Sequence, residues 1–280
     1  MVNALSERVW MITGAGRGLG SEFARAALGR GDSVAATARE VSALEPLAAE
    51  GGDRVLALAL DVTDRAGVST AVDAALARFG RIDVAVNNAG YGIHGAVEEL
   101  GEEEIRAQLE TNFFGALWVI QAVMPTMRSQ GSGHIINVSS TAGGAGFKMV
   151  GGYSAAKFAL EGLSECLALE AEAFGIRVTI AEPSDFRTGF RDACVKRSVP
   201  IAAYEETFAE DLQRLSSLTS GSEAGDPVRA AQALLELVDD PDPPLRFLLG
   251  NRAFDILTSH HRRQLEEWAG QEARARSVDG

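Results

Sequence analysis

The sequence predicts an α/β fold: a doubly wound, parallel, seven-stranded sheet with helices on both faces, built as one domain over residues 1–280. Short β-rich runs alternate with longer helical patterns along the chain, the order produced by right-handed βαβ crossovers. Most of those runs are apolar at consecutive rather than alternate positions, as in strands covered on both sides. No composition break or linker divides the 280 residues, and a chain of that length can bury a large core.

Strands are expected at 8–13 (RVWMIT), 33–38 (SVAATA), 54–60 (RVLALAL), 82–88 (IDVAVNN), 134–139 (HIINVS), 177–182 (RVTIAE) and 246–250 (RFLLG). Helical patterns fill the intervals, among them Leu19 to Gly29, Asp64 to Phe79 and Glu102 to Arg128. The last interval is far longer than the others. Within it Tyr204, Phe208, Leu212, Leu215 and Leu218 recur every three or four positions, which predicts an amphipathic helix. A long excursion from a compact domain is a candidate lid, here over 184–225. Beyond the final strand, Phe254, Leu257, Leu265 and Trp268 outline a helix in a C-terminal extension, 251–280, expected to serve packing or subunit contact.

Composition narrows the function. The hydrophobic content is 46% and the formal charge −13, so phosphate-rich partners such as nucleic acid or anionic membrane are disfavoured. No apolar run approaches the roughly 18–20 residues that span a bilayer, and the first residues lack the order of a secretion signal. A cytoplasmic location is the expectation. Cys166 and Cys194 are too few for a disulfide framework or a metal cage, so no metal is expected. A protein acting on small molecules remains.

The first strand runs directly into TGAGRGLG, residues 13–20. A strand-to-helix turn without Cβ atoms lets the backbone approach a pyrophosphate, and the following helix offers amide donors and a positive dipole end. Gly14, Gly16, Arg17, Gly18, Leu19 and Gly20 are the expected cradle, in a T-G-x-x-x-G-x-G pattern rather than G-x-G-x-x-G. At the end of the second strand, where an acid would bind the ribose hydroxyl of NAD, stand Ala38 and then Arg39. Arg39 and Arg17 suit a 2′-phosphate, which a guanidinium fork matches. The expected cofactor is therefore NADP(H) rather than NAD(H). Asp61 closes the third strand and either accepts from the adenine amino group or caps its own loop.

Tyr153 and Lys157 are four residues apart and share one face of a helix. A phenol ionises near pH 10, too high for a base at neutral pH, and a neighbouring ammonium lowers that value. Ser140 lies thirteen residues upstream at the C-terminal edge of the fifth strand, where open α/β sheets bind ligands. Its hydroxyl can donate to a substrate carbonyl. Ser139 is the other candidate, although adjacent strand residues face opposite sides. Asn112 interrupts an apolar helix; it is either a buried, satisfied amide or a link to a water chain reaching Lys157.

Together these residues resemble the short-chain dehydrogenase/reductase family in its single-domain, Rossmann-like branch. The matching elements are TGAGRGLG, Asp61-Val62, NNAG at Asn87 to Gly90, Asn112, Ser140 and Tyr153-x-x-x-Lys157, in the family's order over residues 8 to about 190. The resemblance implies a catalytic tetrad of Asn112, Ser140, Tyr153 and Lys157. It implies that Lys157 holds the nicotinamide ribose and that Asn87 to Gly90 support the adenine side and the central strand, with Asp61, Val62, Asn88, Ala89, Gly90 and Tyr153 among the cofactor-binding residues. Pro183 and Thr188 match the family's turn beside the nicotinamide carboxamide, but Ser184 and Asp185 stand where the family has glycine and its neighbour. A homodimer or homotetramer is implied by the same analogy.

The pocket expected from Tyr91, Ile93 and His94, from Ala142 to Met149, and from Phe186, Phe190, Tyr204 and Phe208 is mainly apolar. It predicts a hydrophobic ketone, aldehyde or secondary alcohol as substrate, with no role for His94. A non-catalytic NADP-binding regulator on the same fold is the alternative, and dehydration or epimerisation is a further outcome open to this scaffold.

Overall fold

The computed structural model describes residues 7–188, 190, 195–211, 213 and 224–278. Their strands are β1 (Val9–Ile12), β2 (Ser33–Ala38), β3 (Val55–Ala59), β4 (Val84–Asn87), β5 (Gly92–His94), β6 (Gly133–Val138), β7 (Ile176–Pro183), β8 (Val195–Arg197) and β9 (Arg246–Leu249). The helices are α1 (Gly18–Arg30), α2 (Glu45–Gly51), α3 (Arg65–Phe79), α4 (Glu102–Leu109), α5 (Gly115–Gln130), α6 (Thr141–Gly144), α7 (Gly151–Ala171), α8 (Ala202–Thr207), α9 (Pro227–Asp239), α10 (Asn251–Ala269) and α11 (Glu272–Arg276).

Seven strands form one sheet in the order β3-β2-β1-β4-β6-β7-β9, and every pairing is parallel. The chain winds outward in one direction from β1 and in the other from β4, which opens a crevice at the carboxyl ends of these strands. Strand period decides the two cores. Trp10 and Ile12 face one side, with Phe23 of α1 and Leu234 of α9; Met11 faces the other, with Val72 of α3 and Val119 of α5. Both sides of β1 are thus apolar, which explains its unbroken run of buried residues.

Helix ends follow local chemistry. Asp64 caps α3 through Ala66 N (3.0 Å) and Asp226 caps α9 through Val228 N (2.9 Å), each satisfying an orphan amide. Gly31, at φ +101°, ends α1 in the left-handed region.

One expectation needs revision. The helix read over Glu102 to Arg128 is broken by one π-helical turn, Glu110–Phe114, between α4 and α5. The cause lies in Asn112, whose amide turns inward to the Tyr91 backbone, accepting from its N–H at 3.1 Å and donating to its C=O at 2.7 Å. Periodicity does not register a single wide turn. In the long excursion the described helix is α8, and Tyr204 and Phe208 stack with ring centroids 6.0 Å apart. Leu212, Leu215 and Leu218 lie outside the described residues. The β5–β8 pair is a separate two-stranded sheet that three-residue strands did not signal. No helix among the described residues is long and apolar enough to cross a membrane.

Phe23 is fully buried where α1 meets the sheet. Phe23→Ala is expected to lower unfolding free energy by about 3–5 kcal/mol, measured by chemical denaturation with an unchanged slope.

Candidate active site

A cavity of about 1070 Å³ opens at the carboxyl ends of the strands, and its walls include the glycine loop, Arg17, Arg39, Asp61, Asn88, Ser140, Tyr153, Lys157 and Thr188. Most site residues expected from the sequence therefore meet in one place.

Several glycines of the loop have no room for a side chain. Gly14 and Gly18 adopt φ of +65° and +60°. A Cβ on Gly14 would come 2.9 Å from Ala89 Cα, and one on Gly16 would come 2.9 Å from Ala43 Cβ. The cradle is locked from the β4 side. Thr13 Oγ1 accepts from Asn88 N (3.0 Å) and Ala89 N (3.1 Å), while Asn88 Nδ2 donates to Thr13 O (3.0 Å) and Gly14 O (3.1 Å). A Cβ on Gly20 would overlap that same amide. Asn88 and Thr13 thus both hold the loop, and the only sequence signal of the Thr13 hydroxyl was the first letter of the motif. A bare backbone at the start of α1 fits a dinucleotide pyrophosphate.

Arg17 and Arg39 are exposed side chains on the wall of the same cavity, with Glu40 beside them. Asp61 Oδ1 accepts from Thr63 N (2.9 Å) and Thr63 Oγ1 (2.8 Å), so one carboxylate oxygen caps its own loop. Val62 is buried against Gly115, where a Cβ would come 2.6 Å from Val62 Cγ2. Leu19 lines the cavity. Thr188 sits over Gly18, its Cβ 3.4 Å from where a Gly18 side chain would begin.

At the reactive end, Lys157 is 4% exposed and its Nζ donates to Val138 O at 2.7 Å. Burial pulls its pKa down to about 8, opposed by the Glu161 carboxylate one turn along α7. The ammonium lies 5.7 Å from the Tyr153 ring centroid. A Cβ on Gly90 would lie 3.8 Å from this Nζ and 3.2 Å from Asn112 Oδ1, so the loop after β4 passes close to both. Ser140 caps α6, accepting from Ala142 N at 3.1 Å, and lines the cavity. Ser139 faces inward and donates to Glu161 Oε1 at 2.5 Å. Alternation along the strand end separates the two serines. Asn112 does not line the cavity by its amide, which is spent on Tyr91; its side chain holds that loop.

The unusual Ser184 and Asp185 have a local explanation. Ser184 N and Oγ both donate to Leu249 O, at 3.0 and 3.4 Å, and Gly250 at φ +97° leaves the space that Ser184 Oγ fills. Asp185 lies 3.9 Å from the Arg252 guanidinium. The turn is tied to the start of α10. That helix was expected to serve packing or subunit contact alone, yet Arg252 and Ile256 line the cavity. Of the four residues that outlined α10 in the sequence, Leu257 is buried while Phe254, Leu265 and Trp268 are exposed, and their spacing did not show which turn of the helix faces a distant strand end. His94, Phe147, Lys148 and Phe190 complete the outer wall.

Comparison with known proteins agrees with this geometry. The sequence profile of the family described as short chain dehydrogenase matches residues 8–198. An oxidoreductase of Botryotinia fuckeliana, BOA17, is 42% identical over 89% of this chain and 90% of its own. A 3-ketodihydrosphingosine reductase of Bacteroides thetaiotaomicron is 37% identical over 88% of this chain and 89% of its own. The crystal structure of a short-chain dehydrogenase from Streptomyces avermitilis superposes with a TM-score of 0.92 at 41% identity, covering 100% of both chains. An alcohol dehydrogenase from Thermococcus sibiricus, complexed with 5-hydroxy-NADP, gives 0.72 at 28% identity over 88% of this chain and 97% of that one. A Burkholderia phymatum relative in complex with NAD gives 0.80 at 25% identity over 93% and 95%. Neighbours thus hold either nicotinamide dinucleotide. With the glycine cradle, the parallel sheet and a family match across more than half its length, the chain belongs to the short-chain dehydrogenase family of oxidoreductases.

Proposed function

We propose that the protein is an NADP(H)-dependent oxidoreductase that interconverts a hydrophobic ketone or aldehyde and its alcohol. The observation that carries this reading is the lining of one cavity by the glycine loop, Arg17 and Arg39 at one end and by Ser140, Tyr153 and Lys157 at the other. The dinucleotide, when bound, supplies or takes up the hydride. Gly14, Gly16, Gly18 and Gly20 would leave backbone amides for its pyrophosphate, Arg17 and Arg39 would meet a 2′-phosphate, and Asp61 and Val62 would flank the adenine. Ala89, Gly90, Pro183 and Thr188 would face the inner half.

The chain's own residues manage the substrate oxygen. Ser140 Oγ donates a hydrogen bond to it, and Tyr153 Oη passes it a proton in reduction or removes one in oxidation. The Lys157 ammonium favours the phenolate that this exchange creates. Asn112 acts at one remove, by fixing the Tyr91 loop and the π-helical turn beside Lys157. Apolar walls from Phe147, Val150, Phe186, Phe190 and Ile256 suit a substrate with a large hydrocarbon part. The Bacteroides relative is by its name a reductase of a 3-keto compound, in keeping with that class. The segment 184–225 is proposed as the lid of a single 1–280 domain, with 251–280 as its helical extension. Tyr204 Oη donates to Glu98 Oε2 at 2.8 Å, and Lys148 pairs with Asp211 at 3.0 Å, which holds the described part across the outer wall. A homodimer or homotetramer acting in the cytoplasm completes the reading.

A panel of carbonyl compounds and alcohols, followed by NADPH absorbance, is expected to reveal turnover of apolar ketones; tight NADPH binding with no turnover would instead identify a non-catalytic regulator. Tyr153→Phe should retain the fold by circular dichroism and lose about 100- to 10,000-fold in kcat/KM. Arg39→Ala should weaken NADPH binding by about tenfold or more and leave NADH binding unchanged; equal losses for both cofactors would reject the phosphate assignment. The Lys157 pKa of about 8 lies below the ordinary lysine value because burial disfavours the cation. The charge is present below that pH and lost above it, so kcat/KM for carbonyl reduction is expected to fall as pH rises through about 8. A profile flat through that range would count against the lysine's role.

A further inference from the structure

Behind the Ser140 turn, three acids converge on one arginine. Arg246, on edge strand β9, donates through Nη1 to Glu161 Oε2 (2.6 Å) and Glu182 Oε1 (2.9 Å), and through Nη2 to Glu165 Oε1 (2.6 Å). Glu161 and Glu182 are buried, at 3% and 1% exposure. The free oxygen of Glu161 takes the Ser139 hydroxyl at 2.5 Å. The two glycines of α6 press directly on this group. A Cβ on Gly143 would overlap Glu161 Oε1 and Ser139 Oγ, and one on Gly144 would come 3.3 Å from Glu182 Oε1 and 2.7 Å from Leu257 Cδ2.

Stability alone does not account for such an arrangement. Two buried carboxylates sharing one guanidinium are costly to desolvate, and apolar residues of the same volume commonly pack as well or better. Burial, then the charge of Glu161, pushes the Glu182 carboxyl up to about 7 against the pull of Arg246. Its Oε2 has no hydrogen-bond partner among the described residues. The charged and titratable neighbours of the pair are Arg246, Glu165 and Lys157, with His261 of α10 nearby: a Cβ on Gly144 would lie 3.8 Å from its Nε2 and 3.3 Å from Glu182 Oε1. What the cluster touches is the turn that carries Ser140.

We propose that Glu161 is a positioning residue for the active site. Through Ser139 and Gly143 it seats the α6 turn that aims the Ser140 hydroxyl, and Arg246 holds it there from the sheet edge. The inference rests on Ser140 being the hydroxyl that meets the substrate, but the contact itself is testable in the ligand-free protein without any turnover. Three amides report on the turn: Ala142 N bonds Ser140 Oγ, Gly143 N bonds Ser140 O, and Ala145 N bonds Thr141 O.

Hydrogen exchange of these amides should rise by about tenfold or more in both Ser139→Ala and Glu161→Gln, since each removes a charge-assisted hydrogen bond. The double variant should exchange no faster than the faster single, because both changes cut one contact. Glu161 also faces Lys157, so the titration of that lysine is a second readout, one that reports whether the carboxylate is charged where the contact places it. The chain has three lysines, Lys148, Lys157 and Lys196, and ¹³C labelling at lysine Cε resolves them by NMR. Glu161→Gln should lower the Lys157 midpoint, while Ser139→Ala leaves it in place. Unchanged exchange of the turn in a folded Ser139→Ala protein would overturn the proposal, and so would a Lys157 midpoint that Glu161→Gln does not move. Should Glu161→Gln fail to fold, Ser139→Ala decides by exchange alone. Failure of either readout leaves the reductase reading intact, and absence of turnover leaves the positioning contact intact.

Discussion

One buried charge governs the reactive half of this molecule. Lys157 places an ammonium where almost no water reaches it, held by the Val138 carbonyl and by the field of Glu161. An ammonium so placed survives at neutral pH only while those partners stay fixed. Val138 ends β6 and Glu161 sits on α7, so strand and helix must keep their relative position for the charge to persist. The parallel pairing of β6 with β7, continuous from Gly133 to Val138, supplies that rigidity. A loop-borne lysine could not be held this way.

The cofactor half depends on the opposite property, an absence of side chains. The glycine loop exposes backbone donors because Ala43, Ala89 and the Asn88 amide already occupy the space that Cβ atoms would need. Thr13 and Asn88 then join the loop to β4, the strand beyond the point where chain winding reverses. A further polar line runs from Asn87 to Asn137 and on to Ser164 across β4, β6 and α7. The two ends of the cavity are thereby braced through the central strands rather than through the loops that border it.

The substrate end is assembled from the least regular parts of the chain. The α6–α7 connection, the described part of the 184–225 excursion and the first turns of α10 all reach it. Met149 in that connection holds φ at +63°, which is uncommon for a side chain of its size, and its carbonyl accepts from Gly95 N at 2.8 Å. These elements differ from the sheet in being set by side-chain contacts such as Lys148 with Asp211 and Asp185 with Arg252. Under the proposed function, substrate preference would reside in these pieces and the chemistry in the frame.

Sequence alone determined the frame. Apolar runs such as Val9–Ile12 bury both faces of a strand, and that pattern needs no knowledge of neighbours to be seen. The glycine loop, Ser140, Tyr153 and Lys157 were legible for the same reason: each is a local spacing tied to a local conformation, a turn or one helical face. Family matches then agree with the fold and the oxidoreductase class. Only the tertiary structure decided what Asn112, Asn88, Ser139 and Ser184 do, because each spends its polar atoms on backbone or side chains at least twenty residues away. The same holds for Arg246 and Arg252, which reach the site region from the far end of the chain. Periodicity and spacing describe neighbours along a chain, whereas hydrogen bonds and excluded volume act between neighbours in space, and folding brings the two together only once the sheet order is set.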